Sequence, residues 1–224
     1  MNIPEWYNNI NYYKLIKIFP ILHKNELYSK IKIDTESYKY ITSNNISEII
    51  SKIIELHINK KNINKKNINK ELLIELMGGC GGNTLSFSKY FNNIISIEIS
   101  KLRYLYLQQN LELFDCNNVI TMNKCAIEFC LNELSHYTPT IIFIDPPWGN
   151  NWDKCDTNYK ITIDNISLEK LIKIIINKTK NNLIAIKIPK NYDIKYFFNE
   201  IKTKHNKIYI YYLKKMYIAI CENF

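Results

Sequence analysis

Side chains able to bind and act on a ligand gather in two stretches of the sequence. Asp145-Pro146-Pro147-Trp148-Gly149 puts a carboxylate, a proline carbonyl and an indole on one short turn. Proline has no N–H and a fixed φ, so the turn is rigid and no strand ladder continues through it. Acceptors beside a stacking face suit a planar ring carrying an exocyclic amino group. The second stretch runs from Glu75 through Gly78-Gly79-Cys80-Gly81-Gly82-Asn83-Thr84 and is followed by Glu98. A glycine loop lets backbone approach a ligand closely, and an acid ending the next strand can take both hydroxyls of a ribose.

The glycine loop narrows its own ligand. It lacks the Gly-Lys-Ser/Thr of a nucleoside triphosphate loop. A dinucleotide would set its pyrophosphate on the helix N-terminus, where Glu75 would repel it. The same acid would welcome an ammonium. The pattern therefore points to S-adenosylmethionine, with Glu75 toward its amino acid end and Glu98 on its ribose.

Strands and helices must position these groups. Ile141-Ile142-Phe143-Ile144 reads as a buried strand ending at Asp145, and ligands bind at such carboxyl ends in open α/β sheets. Strands are predicted over 72–77, 93–99, 118–122, 140–144 and 183–188, the last stopped by Pro189. Helices alternate with them over 83–91, 100–114, 126–134, 167–178 and 192–202, and strands over 207–213 and 216–221 close the chain. Alternation implies a mostly parallel, doubly wound α/β sheet with helices on both faces, and the closing pair an antiparallel hairpin at one edge. Upstream, 1–25 reads as an amphipathic helix ending near Pro20, 29–34 as extended, and 46–57 as a helix. Three parts follow: a mostly helical extension over 1–57, a basic linker over 58–70 carrying a five-residue tandem repeat, and a Rossmann-like domain over 71–224.

Composition sets the outer bounds. Length fits one α/β domain, and no apolar run approaches the ~18 residues that span a bilayer. The N-terminus lacks a secretory signal. The 6 cysteines form no CxxC pair and the 4 histidines are scattered, so we expect free thiols in a reducing, intracellular setting and no metal. The net charge of +9 favours a polyanionic partner such as nucleic acid, although heavy use of Lys, Asn and Ile is also what an A/T-rich genome produces. Average usage of ~7% would give roughly 16 glycines; this chain has 5, and Gly78, Gly79, Gly81, Gly82 and Gly149 all lie at the two stretches above.

Together, Glu75 through Thr84, Glu98 and the Asp145 to Gly149 turn resemble a class I S-adenosylmethionine-dependent methyltransferase. The Gly-Gly-Asn-Thr at 81–84 and the Pro-Pro-Trp-Gly at 146–149 resemble, more narrowly, the trimethylguanosine synthase family, which methylates guanine N2 of a 7-methylguanosine RNA cap. Phe19, Lys30 to Asp34, Tyr38 and Thr42 are similar to that family's N-terminal extension, and Ile188-Pro189-Lys190-Asn191 to the stretch after its fifth strand. The sheet implied is the seven-stranded one of class I methyltransferases.

Carried over residue by residue, the resemblance implies a cofactor site of Thr42, Glu75, Gly79, Gly81, Asn83, Thr84, Glu98, Ile99, Asn123, Cys125 and Asp145. It implies catalysis by Asp145, Pro146 and Trp148, and substrate binding by Lys32, Trp148, Lys190 and Asn191. Tyr12 and Trp152 are weaker candidates for the cap pocket. The partner implied is 7-methylguanosine-capped RNA, bound by a monomer in the nucleus or, for a viral protein, in host cytoplasm. The chain departs from the family pattern at several points. Glu75 replaces Asp, Asn123-Lys124-Cys125 replaces Gly-Asp-Phe, Asp145 replaces Ser and Asn150 replaces the second Gly. The family's long upstream domain is missing, which reads as a minimal catalytic unit. Two alternatives stay open: an amino-methyltransferase acting on bases within DNA, rRNA or tRNA, and an inactive cofactor-binding scaffold that holds RNA.

Overall fold

The structure is a computed structural model and describes residues 12–62, 72–180, 182–203 and 206–223. The strands among them are β1 (Leu72–Leu76), β2 (Asn93–Ile97), β3 (Val119–Met122), β4 (Ile141–Ile144), β5 (Thr162–Ile163), β6 (Ile166–Ser167), β7 (Asn182–Pro189), β8 (Asn206–Leu213) and β9 (Met216–Asn223). The helices are α1 (Tyr12–Ile18), α2 (Ser37–Tyr40), α3 (Asn44–Asn62), α4 (Thr84–Tyr90), α5 (Lys101–Leu113), α6 (Ala126–Asn132), α7 (Leu168–Lys178) and α8 (Ile194–Ile201). Seven strands form one sheet in the order β3-β2-β1-β4-β7-β9-β8, and β5 pairs with β6 in a separate ribbon that the sequence pattern did not signal. The sheet is parallel from β3 to β7, while β9 runs antiparallel to both β7 and β8.

Alternation along each central strand builds two cores. Ile142 and Ile144 of β4 face a cluster with Phe129 of α6, Leu171 and Ile172 of α7 and Phe197 of α8. Ile141 and Phe143 face the other side, with Ile50, Ile54 and Ile58 of α3 and Phe87 of α4. Serine and aspartate side chains start three of the helices, each accepting from the N–H three residues on: Ser100 for α5, Ser167 for α7 and Asp193 for α8.

The upstream region differs from the sequence expectation in ways that have physical causes. Helix α3 runs on to Asn62, into the segment expected to be linker, because Ile58 still buries against the sheet. His57 adds a polar tie, its ring nitrogens 2.7 Å from both Glu222 Oε1 and the Tyr211 hydroxyl. A 3₁₀ turn over Asn25–Lys30 takes in the first two residues of the stretch expected to be extended, 29–34. Ile31 and Ile33 are buried, and among the described residues they belong to no strand. Asn110 of α5 bonds the backbone between them: its Oδ1 accepts from the Lys32 N–H and its Nδ2 donates to the Lys32 carbonyl, both at 2.8 Å. Pro189 ends β7 as its last residue, paired with Met216. The tandem repeat at 61–70 lies almost wholly outside the described residues, as do Trp6 and the side chain of Tyr12.

Candidate active site

Register brings the chemistry of three neighbouring strands to one end of the sheet. Leu76 of β1, Ile144 of β4 and Ile186 of β7 are aligned, so the glycine loop, Asp145 and Lys187 emerge side by side. Asp145 is the meeting point. Its Oδ2 accepts from the Asn83 amide at 2.9 Å, the Thr42 hydroxyl at 3.2 Å and the Lys187 ammonium at 2.8 Å. Lys187 Nζ also donates to Thr42 Oγ1 at 2.8 Å, and only 5% of its side chain is exposed. One oxygen of the carboxylate is thus locked, while Oδ1 has no hydrogen-bond partner among the described residues.

Trp148, three residues on, is half-buried. Its Nε1–H donates to the Lys187 carbonyl at 3.3 Å, and the Lys187 ammonium lies 5.3 Å from its ring centroid. Trp152 meets it edge to face at 4.9 Å. The Tyr159 hydroxyl donates to the Trp148 carbonyl, and Gly149 turns the chain at φ +80°, where a Cβ would lie 3.2 Å from that hydroxyl. Asn191 braces the same loop: its Nδ2 donates to the carbonyls of Trp152 and Cys155. The asparagine expected to touch substrate thus spends both amide protons on framework, and its buried Oδ1 is unpartnered among the described residues.

The glycine loop is held from below and from the side. A Cβ on Gly78 would lie 2.1 Å from Ser96 Oγ, and one on Gly82 would lie 2.8 Å from the Thr42 carbonyl. Gly79 and Gly81 adopt φ of +58° and +100°, conformations that favour glycine. Nothing lies within 4 Å of a Cβ on Gly79, so that backbone faces open space. Glu98 grips the loop, Oε2 accepting from Gly79 N–H at 2.8 Å and Oε1 from Ser100 N–H at 2.7 Å. Each oxygen keeps a lone pair for a diol.

Glu75 sits elsewhere than the sequence implied. It is wholly buried beneath the loop, Oε2 accepting from Thr84 Oγ1 at 2.5 Å and Ser96 Oγ at 2.7 Å. Its Oε1 is buried without a partner among the described residues. Burial pushes its carboxyl up to about 7, with the negative charges of Asp145 and Glu98 acting in the same direction and the two hydroxyls against it. Glu75 therefore supports the loop and does not form the mouth surface.

Beyond Glu98, Ile99, Asn123 and Cys125 come together with Phe129 in an open cleft of about 500 Å³. Ile99 is 62% exposed and lines this cleft. The Asn123 amide donates to the Glu98 and Ile99 carbonyls at 2.8 and 2.9 Å, which fixes its orientation at the cleft. A carboxylate, an open glycine backbone and a cleft lined by both apolar (Ile99, Phe129) and polar (Asn123, Lys124, Glu128) side chains follow one another, an order that fits an adenosine with an aliphatic tail.

The two lysines expected to hold phosphate are placed differently. Lys32 is anchored by its backbone to Asn110, beside Cys80, whose carbonyl also accepts from Asn110 Nδ2 at 2.9 Å. Lys190 is exposed just past β7. The residue sequence reasoning missed is Lys187. Its signal was present: a lone charge inside the apolar run 183–188 must find a partner if that strand is buried. Among the described residues no cluster could hold a metal ion, and no helix is long and apolar enough to cross a membrane.

Comparison with known proteins agrees with this geometry. Residues 70–222 match the model of a family described as RNA cap guanine-N2 methyltransferase. An uncharacterized protein of Acanthamoeba polyphaga mimivirus is 33% identical over 199 residues, covering 83% of this chain and 77% of that protein. Trimethylguanosine synthase of Schizosaccharomyces pombe is 27% identical over 187 residues, covering 80% and 71%. Among solved structures, a precorrin-6y C5,15-methyltransferase from Geobacter metallireducens aligns with a TM-score of 0.56 at 12% identity, covering 82% of this chain and 90% of that one. A T. thermophilus 16S rRNA N2 methyltransferase in complex with AdoMet and guanosine aligns with a TM-score of 0.55 at 12% identity, covering 86% and 44%. At such identities these two speak for the fold.

Proposed function

Because the chain belongs to the RNA cap guanine-N2 methyltransferase family, we propose that it methylates guanine N2 of a 7-methylguanosine RNA cap, giving 2,7-dimethyl- or 2,2,7-trimethylguanosine. The observation that carries this reading is the Asp145 carboxylate, with Oδ2 saturated and Oδ1 open beside the Trp148 indole.

The methyl donor read from the family and the site is S-adenosylmethionine, whose sulfonium supplies an electrophilic methyl group. Glu98 and the Gly79 to Gly81 backbone would hold its ribose and amino acid, and Ile99, Asn123 and Cys125 its adenine. Thr84 and Glu75 keep the loop in shape beneath it. Guanine N2 is a poor nucleophile because its lone pair is delocalised into the ring. Asp145 Oδ1 and the Pro146 carbonyl would accept its two amino hydrogens and turn the lone pair toward the methyl group; the N–C bond would form as the S–CH3 bond breaks, leaving a neutral thioether, and one amino proton would pass through Asp145 Oδ1 to water. Most of the acceleration is then proximity and in-line alignment. Lys187, Thr42 and Asn83 act by keeping Asp145 from rotating.

Trp148 stacks on the base and Trp152 is the second wall. A 7-methylguanine is cationic, so stacking on an indole adds ~0.5–2 kcal/mol that unmethylated guanine lacks. Lys190 takes cap phosphate. The reading has the protein act as a monomer inside cells, in the nucleus or in host cytoplasm, and the mimiviral relative supports the second.

A second reading is an amino-methyltransferase acting on neutral bases within nucleic acid. The Lys187 ammonium favours it, since it already supplies positive charge 5.3 Å from the Trp148 ring. One assay separates the two. With labelled S-adenosylmethionine, transfer to 7-methyl-GTP and not to GTP or uncapped RNA supports the cap reading. Transfer to uncapped RNA supports the second and removes the first.

A further inference from the structure

We propose that the β8–β9 hairpin turn, together with Lys190, binds the single-stranded RNA that follows the cap. The inference rests on the cap reading and extends it from the cap to the transcript body.

Pairing of Pro189 with Met216 sets the turn, Lys214-Lys215, just past the end of β7. The Lys190 N–H donates to the Lys215 carbonyl at 3.3 Å, which joins the three lysines into one unit. Asn191, next in the chain, braces the loop that carries Trp152. Two consecutive residues, Lys190 and Asn191, thus tie the hairpin turn to the loop that carries Trp152.

Charge on this unit is uncompensated. Lys190, Lys214 and Lys215 are all exposed and make no ion pair among the described residues, whereas Lys124 and Lys173 pair with Glu133 and Glu200 at 2.5 Å. The segment from Tyr212 to Tyr217 contains no acid. Lys214 also adopts φ +52°, where glycine or asparagine is usual in a two-residue hairpin turn. This asparagine-rich chain places a lysine there instead.

An aromatic platform completes the surface. Tyr212 is 61% exposed, yet its hydroxyl is tied to the Lys214 carbonyl at 2.6 Å and its ring lies 5.6 Å from that of Tyr217. The ring is held over the turn before any ligand arrives. Positive charge tracking a backbone beside an ordered stacking face is the chemistry that binds single-stranded nucleic acid without reading its sequence.

The test measures fluorescence anisotropy with capped and uncapped oligoribonucleotides of about ten residues, and methyl transfer to 7-methyl-GTP, for wild type, Lys214→Ala/Lys215→Ala and Tyr212→Ala. The double variant is expected to bind both oligonucleotides several-fold more weakly, with a salt dependence shallower by roughly 0.7 per lost phosphate contact. Tyr212→Ala is expected to weaken both without changing the slope. Transfer to 7-methyl-GTP should be unaltered in both variants. Unchanged oligonucleotide affinity, or an equal loss on 7-methyl-GTP, would overturn the proposal. If wild type transferred no methyl to any cap, the uncapped oligonucleotide would still read the hairpin by itself.

Discussion

Lys187→Met is the perturbation that probes the site's architecture most sharply. The variant keeps much of the side chain's volume and removes the charge that sits 2.8 Å from both Asp145 Oδ2 and Thr42 Oγ1. Asp145 would retain two neutral donors, Asn83 and Thr42, and lose its counter-ion while Glu75 and Glu98 stay nearby. Removing one member of a buried ion pair costs ~3–5 kcal/mol. The Asp145 side chain is 17% exposed, against 5% for Lys187. Water recovers part of the loss, so the lower figure of ~3 kcal/mol applies. In a chain of this size that corresponds to a fall of roughly 6–12 °C in Tm. Freed from its ammonium, the carboxylate can rotate, and kcat should fall at least tenfold with little change in cofactor affinity. Circular dichroism melting and single-turnover methyl transfer read the two effects. Asp145→Asn/Lys187→Met removes both charges and should melt above Lys187→Met alone. A Lys187→Met protein that melts within a degree of wild type, or a double variant less stable than the single one, would refute the reasoning.

Trp148→Ala should raise the KM for 7-methyl-GTP tenfold or more and leave cofactor binding intact by calorimetry; wild-type turnover would remove the indole from the mechanism. Glu98→Gln offers one acceptor where two N–H groups, from Gly79 and Ser100, now bind two oxygens. Cofactor Kd should rise at least tenfold, about the worth of one charged hydrogen bond, and an unchanged Kd would count against the ribose role. Glu75 predicts a pH effect on stability. Its carboxyl is raised in the fold from 4.5 to about 7, so its contribution is fully present below 4.5 and is lost as pH rises through about 7. The total is ~3 kcal/mol. Glu75→Gln should flatten Tm against pH across that window, and an undiminished slope would show that Glu75 does not cause it.

Much of this was legible because it depends on local rules. Ser100 ahead of a run of helix-forming residues is a local cap signal, and the all-apolar run at 141–144 had nowhere to sit but between two layers. The glycine loop and Glu98 met because strand, loop, helix and strand in that order leave one geometry. What stayed hidden depended on long-range partners. Lys187 read as one lysine among many, and its pairing with Asp145 spans 42 positions in the chain. The stretch 29–34 read as extended, but its first two residues lie in a 3₁₀ turn, and a side-chain amide from distant Asn110 bonds the Lys32 backbone. Glu75 read as a mouth residue, since the pattern places an acid at a strand end but not the hydroxyls of Thr84 and Ser96 that draw it beneath the loop. Helix α3 read as part of an appendage; its apolar stripe in fact covers one face of the sheet.

In the proposed function, Asp145 and Trp148 present a guanine amino group to the methyl donor. The direct measurement is the site of the new methyl group. Wild-type protein would be incubated with 7-methyl-GTP and a donor carrying a deuterated methyl group, and the product mapped by fragmentation mass spectrometry. The label is expected on N2, with none when GTP replaces 7-methyl-GTP. Label on any other atom, or equal labelling of GTP, would contradict it.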